Sequence, residues 1–168
     1  VQECGGKSCG GHDLLDEAVR VDGDNAAIWI ERARDSLKSG DWSAAEAELR
    51  QGIAAPRYDI YFVDQAMLLE EALAASSNMD YQERAFAAFG VAAAVAVPQY
   101  GDITKACASD QNSATTWSSN CDALGKLMSE RGNTLIDRGV GLALRRIAAE
   151  RIGDQSAAER FRRERQSM

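Results

Sequence analysis

Only two prolines, Pro56 and Pro98, interrupt 168 residues that include 29 alanines. Alanine gives up no side-chain freedom on entering a helix, whereas proline removes a backbone donor and clashes with the preceding turn. A chain rich in one and nearly free of the other is helix-forming almost throughout, and no convincing strand can be read along it. The expected fold is all-α, an irregular antiparallel bundle or array of about seven to eight helices. Its length suits one domain, able to bury about two-thirds of the surface of the unfolded chain. Residues 1–12 read as a flexible, cysteine-bearing N-terminus and residues 13–168 as a single helical domain.

Caps and breaks order the helices. A short helix is expected near Asp13 to Arg20. Asp24 then caps Asn25 to Ser39, and Asp41 caps Trp42 to Ala54. Tyr58 to Ala75 carries apolar residues on more than one side, as a central helix would. Asp80 with Glu83 opens a helix holding the run from Ala85 to Val97, which Pro98 ends. Thirteen apolar residues are too few to span a bilayer, so this reads as a buried core helix. Ser113 to Ile152 is either one long helix or two broken at Gly132-Asn133. Gly125, Gly132 and Gly139 recur every seven residues there, a seam along which the alanine-rich helix could approach closely. Asp154 to Arg165 forms the last helix, burying Ala157, Ala158 and Phe161.

Within residues 26 to 56, Trp29, Ala33, Gly40, Asp41, Trp42, Ala45, Leu49, Gly52 and Ile53 fall at the spacing of one helix-turn-helix repeat. This segment resembles a tetratricopeptide repeat. The resemblance implies two antiparallel helices with Trp29 as the bulk, Ala33 and Ala45 small at the crossing, and Gly40-Asp41 as helix stop and next cap. Arg32 and Ser36 depart from the pattern, standing where large apolar residues are preferred, and Pro56 comes one position early. A second echo lies at Gly153-Asp154-Gln155-Ser156-Ala157-Ala158-Glu159, which copies Gly40-Asp41-Trp42-Ser43-Ala44-Ala45-Glu46. Both carry Ser-x-x-Glu, a capping-box signature. One hairpin cannot bury its own apolar face, so the other helices must act as irregular partners.

The net charge of −7 argues against a general nucleic-acid or anionic-membrane binder. It is unevenly placed, with −10 over residues 1–83, balance over 84–136 and +3 over 137–168. Such asymmetry could steer a charged partner, although a solvated surface is the plainer reading. Fifteen arginines against four lysines, beside the alanine, suggest a high-GC bacterial source. Four cysteines in paired spacings, Cys4 with Cys9 and Cys107 with Cys121, suggest two disulfides and an oxidising compartment, periplasmic or secreted. Three connectivities remain open on spacing alone. Cys107 and Cys121 flank a polar stretch that opens as a loop. No signal peptide is visible at Val1, so a targeting segment is expected to be absent or already removed, and an upstream anchor stays open.

Catalytic chemistry is sparse, and no enzyme or cofactor is expected. The single histidine, His12, lies in the segment expected to be a flexible N-terminus, a poor setting for a Ser-His-Asp or Cys-His arrangement, and adjacent Glu70 and Glu71 do not share a helical face. Cys4, Cys9, His12 and Asp13 fit no standard zinc spacing, so no metal site is assigned. Asp22-Gly23-Asp24-Asn25 lacks the later ligands of a calcium loop and reads as a turn and cap. The expected function is a non-enzymatic protein–protein interaction module of the bacterial envelope. In one form it is a tetratricopeptide-like adaptor, holding a partner in a groove within residues 26–75 through Arg32, Ser36, Tyr58 and Tyr61. In another it is an immunity or inhibitor protein for an envelope-acting toxin such as a cell-wall hydrolase, meeting it through Asp59, Asp64, Glu70 and Glu71 or the loop 98–113. A third is a scaffold that self-associates through Phe86, Phe89 and the alanine face. The oligomeric state stays open.

Overall fold

A computed structural model of the chain describes residues 11–96, 100–109 and 114–168. Among the described residues it forms α1 (Gly11–Asp22), α2 (Ala26–Ser39), α3 (Trp42–Ala54), α4 (Phe62–Ser76), α5 (Tyr81–Ala96), α6 (Gly101–Ala108), α7 (Ala114–Arg131), α8 (Leu135–Arg151) and α9 (Gln155–Gln166). The fold is all-α, with one β pairing among these residues, an isolated bridge between Asn25 and Arg57. The helix beyond the expected count is α6, in a stretch read as loop. Eight residues are too few to show a period, yet Ile103, Ala106 and Cys107 are buried on one side. Two compact units are distinguished, Val1–Tyr58 with Tyr100–Met168, and Asp59–Gln99. Each is described by itself.

In the larger unit, α2 begins one residue later than expected. Asn25, not Asp24, is its cap: it is extended, and its side-chain oxygen accepts from Ala27 N at 3.2 Å. Asp24 is drawn instead to Arg57, 3.4 Å away. Asp41 caps α3 as expected, through Ala44 N at 2.9 Å. Ala33, Ala45 and Leu49 are buried between α2 and α3, and a methyl group at Gly52 would stand 3.1 Å from the Trp29 Cβ, so glycine permits that approach.

The echo between residues 40–46 and 153–159 is a structural one. Gly40 and Gly153 are both left-handed, with φ of 80° and 79°. Asp41 N bonds Ser36 O and Asp154 N bonds Ala149 O, each at 2.9 Å, closing the two preceding helices with the same six-residue loop. Asp154 then caps α9 through Ala157 N at 2.9 Å, as Asp41 caps α3. The Ser-x-x-Glu boxes expected at Ser43 and Ser156 are not the caps. Asp stands at the cap position ahead of each serine, which already lies inside its helix.

Residues 114–151 form two helices rather than one. Gly132 sits at the break, where a methyl would be 2.4 Å from the Asp137 Cβ, and Thr134 opens α8 with Asp137 in a reciprocal capping box. Of Gly125, Gly132 and Gly139, Gly125 alone makes a close approach between these two helices, while Gly139 meets the Met168 side chain. Gly125 and Gly141 face each other, and a methyl on either would stand 2.5 Å from the other's carbonyl oxygen. Leu124, Met128, Leu142 and Leu144 are buried with them. Trp42 of α3 meets Trp117 of α7 edge to face at 5.7 Å, and the Cys107–Cys121 disulfide ties α6 to α7 with both residues fully buried. The expected Cys4–Cys9 pair and the stop at Pro98 lie outside the described residues.

The smaller unit is the hairpin α4–α5. Its first helix starts at Phe62 rather than Tyr58, because Tyr61 is left-handed with φ of 55° and its amide is held by Asp59 Oδ1 at 2.7 Å. Asp80 and Glu83 cap α5 reciprocally, at 3.0 and 3.1 Å, as expected. Arg84 bonds Glu70 across the hairpin at 2.8 Å and the Met79 carbonyl at 2.8 Å. Two expectations are corrected. In α4, read as a central helix, Phe62 is the one buried residue, while Val63, Met67 and Leu68 are exposed. In α5, read as a core helix, Ala88 and Ala92 are buried but Phe86, Phe89 and Val91 are exposed. A pair of helices can bury one stripe of each, and both sequences carry more apolar surface than one stripe holds.

Candidate functional site

Two clusters of chemistry stand out, one inside the larger unit and one on the surface of the hairpin. In the larger unit Asp137 is 0% exposed and its carboxylate is saturated. Oδ2 accepts from Thr134 N at 3.2 Å and from Thr134 Oγ1 at 2.6 Å. Oδ1 receives the Tyr100 hydroxyl at 2.8 Å and the Tyr58 hydroxyl at 3.1 Å, and the two phenols also touch each other. Burial pushes both phenols far above the ordinary tyrosine range. The neighbouring Asp137 charge adds to it for each, and the Tyr100 phenol does so for Tyr58. Held neutral, both remain hydrogen donors to a charge that has no water to solvate it. This cluster is a lock joining the start of α6, the start of α8 and the chain just after α3.

The polar residues expected in a groove are held internally in this unit. Arg32 Nε bonds Glu48 at 3.2 Å, and its guanidinium also pairs with Asp16 and lies 5.8 Å from the Trp29 ring centre. Ser36 Oγ donates to the other Glu48 oxygen at 2.7 Å. Glu48 is therefore the residue that makes two polar positions tolerable between α2 and α3. Asp22-Gly23-Asp24-Asn25 forms a turn that Arg57 clasps through Asp22 and Asp24, with Gly23 O accepting from Trp29 Nε1 at 2.8 Å. A cavity of about 390 Å³ opens near Phe161, where Arg145 stacks at 4.3 Å from the ring while Asp122 neutralises it at 3.1 Å. Among the described residues no three His, Cys, Asp or Glu side chains are grouped as a metal site would need.

The hairpin presents the opposite arrangement. An open cleft of about 830 Å³ runs between α4 and α5. On the α5 side Tyr81, Ala85, Ala88 and Phe89 repeat at helical spacing, so small alanines form a floor between two aromatic ends. Phe62 meets Phe89 edge to face at 5.0 Å. The α4 side contributes Met67 and Leu68, 66% and 65% exposed, and a margin of Asp64, Glu70 and Glu71. Between Asp59 and Gln99 six carboxylates face one arginine, a net charge of −5, and that arginine is engaged by Glu70.

Of the residues expected to bind, Asp64, Glu70 and Glu71 thus share one surface in the hairpin. Asp59 and Tyr61 shape the turn before α4, and Arg32, Ser36 and Tyr58 belong to the larger unit. The expected loop 98–113 is helix over Gly101–Ala108. Sequence reasoning missed Met67, Leu68 and Tyr81 as surface residues, and Tyr100 and Asp137 as partners of Tyr58. Thr134-x-x-Asp137 was legible as a capping box, whereas nothing local marks Tyr100. No helix of the described residues is long and apolar enough to cross a membrane. Compared with family models, curated proteins and solved structures, the chain matches none of them.

Proposed function

We propose that the protein is a non-enzymatic interaction module of the bacterial envelope that holds a partner protein or peptide on the α4–α5 hairpin. The observation that carries this reading is the exposed apolar cleft with its acidic margin. Large contiguous apolar patches are uncommon on soluble surfaces unless something covers them. Met67 is suited to such a task because its flexible, polarisable side chain adapts to what it meets. The Cys107–Cys121 disulfide supports an oxidising compartment such as the periplasm, and the α2–α3 hairpin resembles a tetratricopeptide repeat that has become scaffold.

The acidic margin favours a second reading, an immunity or inhibitor protein seated on a basic, envelope-acting toxin. The two readings differ in stoichiometry and tightness. Affinity capture from an envelope fraction, with the disulfide intact, separates them: one stoichiometric hydrolase supports the inhibitor, several weaker clients support the adaptor. Capture that is unchanged by Met67→Ser overturns the hairpin as the binding surface. Recovery of the chain alone supports self-association through Phe86 and Phe89.

A further inference from the structure

We infer that the occupant of the α4–α5 cleft is a cationic amphipathic helix from a partner protein, an inference that rests on the hairpin being the binding surface. Shape, chemistry and charge each narrow the choice. The α4 lining extends from Phe62 to Glu71, about 14 Å along a helix at 1.5 Å per residue. A guest helix with apolar residues at i, i+4 and i+7 spreads its anchors over about 10 Å, so three anchors fit the length of the cleft. The floor at Ala85 and Ala88 is shallow enough for a helix backbone to approach, and Tyr81 and Phe89 bracket the space at either end. Met67 and Leu68 supply the adaptable wall.

Charge decides between occupants. Asp64 and Glu71 are exposed along the α4 margin, and Glu70 adds a third carboxylate beside its pairing with Arg84. A second copy docking through the same face would bring the Asp64, Glu70 and Glu71 margin against its own copy, between hairpin segments that each carry a net charge of −5, a repulsion that a self-complementary interface does not relieve. An anionic lipid surface would be repelled in the same way. An extended strand would find no sheet edge in a helical hairpin to pair with. A helix with lysines or arginines flanking its apolar face satisfies both the cleft and its margin.

The test uses the full chain with its disulfide formed and two labelled synthetic helices that share the same leucine anchors. One carries lysine and arginine on its polar face, the other glutamate. Fluorescence anisotropy is read at about 0.05 M and about 0.5 M salt. The cationic helix should bind at least about tenfold more tightly than the acidic one, and weaken in high salt. Met67→Ser should lower that affinity at least about tenfold, and the Asp64→Lys/Glu71→Lys pair should invert the preference, with the circular dichroism of both variants unchanged. Equal binding of the two helices, or binding of neither, overturns the inference, as does a wild-type dimer that Met67→Ser dissolves. The broader reading has its own check: if neither helix binds yet envelope capture still depends on Met67, the surface stands and only the helical, cationic occupant falls. If capture ignores Met67, the surface itself is wrong.

Discussion

Asp137 and Met67 each break the usual arrangement of a globular fold, in opposite directions. In the larger unit a carboxylate and two phenols are taken out of water, and each is compensated by hydrogen bonds at the point of burial. In the hairpin, large apolar side chains are left in water: Phe86 is 83% exposed and Tyr81 69% exposed, with no compensation inside the hairpin. The first kind of exception explains itself from the chain's own contacts. The second is left open by the hairpin's own contacts, and the proposed function rests on it as the stability predictions rest on the larger unit.

The sharpest way to break this comparison is at its buried end. Asp137→Ala should cost about 3–5 kcal/mol in urea unfolding followed by circular dichroism, because two phenols and two Thr134 donors lose their acceptor together. A loss below about 1 kcal/mol would mean water reaches the cluster. Next in size, Cys107→Ser/Cys121→Ser should cost roughly 3 kcal/mol, since a bridge across fourteen positions restricts the unfolded chain, and reducing agent should reproduce the effect on the wild type.

Alkaline pH gives a graded version of the first test. The folded phenols of Tyr58 and Tyr100 titrate above the unfolded value near 10, so the folded state retains protons that the unfolded state releases. Their contribution is whole below pH 10 and declines as pH rises beyond it, by about 1.4 kcal/mol per pH unit for each tyrosine. Tyr58→Phe should remove one tyrosine's share of that slope in urea midpoints measured across the alkaline range. At the exposed end the expected change in stability is smallest. Met67→Ser should leave unfolding within about 0.5 kcal/mol of wild type while sharply reducing capture of the partner. A large loss of stability there would show that Met67 is core rather than surface.

Legibility in the sequence followed the range of the interactions. The helices other than α6, Asp41 as a cap, the Asp80–Glu83 box and the repeated Gly-Asp turn all depend on residues within six positions of one another, and they could be read directly. So could the plausibility of Cys107 with Cys121. Residues distant in sequence decide the rest. The partner that holds Arg32 and Ser36 is Glu48, twelve or more positions on, which no local pattern announces. Tyr58 is met by Tyr100 and Asp137, both far along the chain. The apolar runs of α4 and α5 could not be assigned to core or surface, because hydrophobicity along a helix does not say how many neighbours it has. Gly125 was legible as a close approach, but its partner, Gly141, was not part of the seven-residue repeat that drew attention to it.

The most direct measurement is hydrogen–deuterium exchange of the protein free and bound to the partner recovered by capture. Seating on the cleft should slow exchange across Phe62 to Phe89 and leave the already closed helices of the larger unit unchanged. Protection confined to α2 and α3, with Phe62 to Phe89 exchanging as before, would contradict the hairpin as the binding surface and return the groove to the tetratricopeptide-like segment.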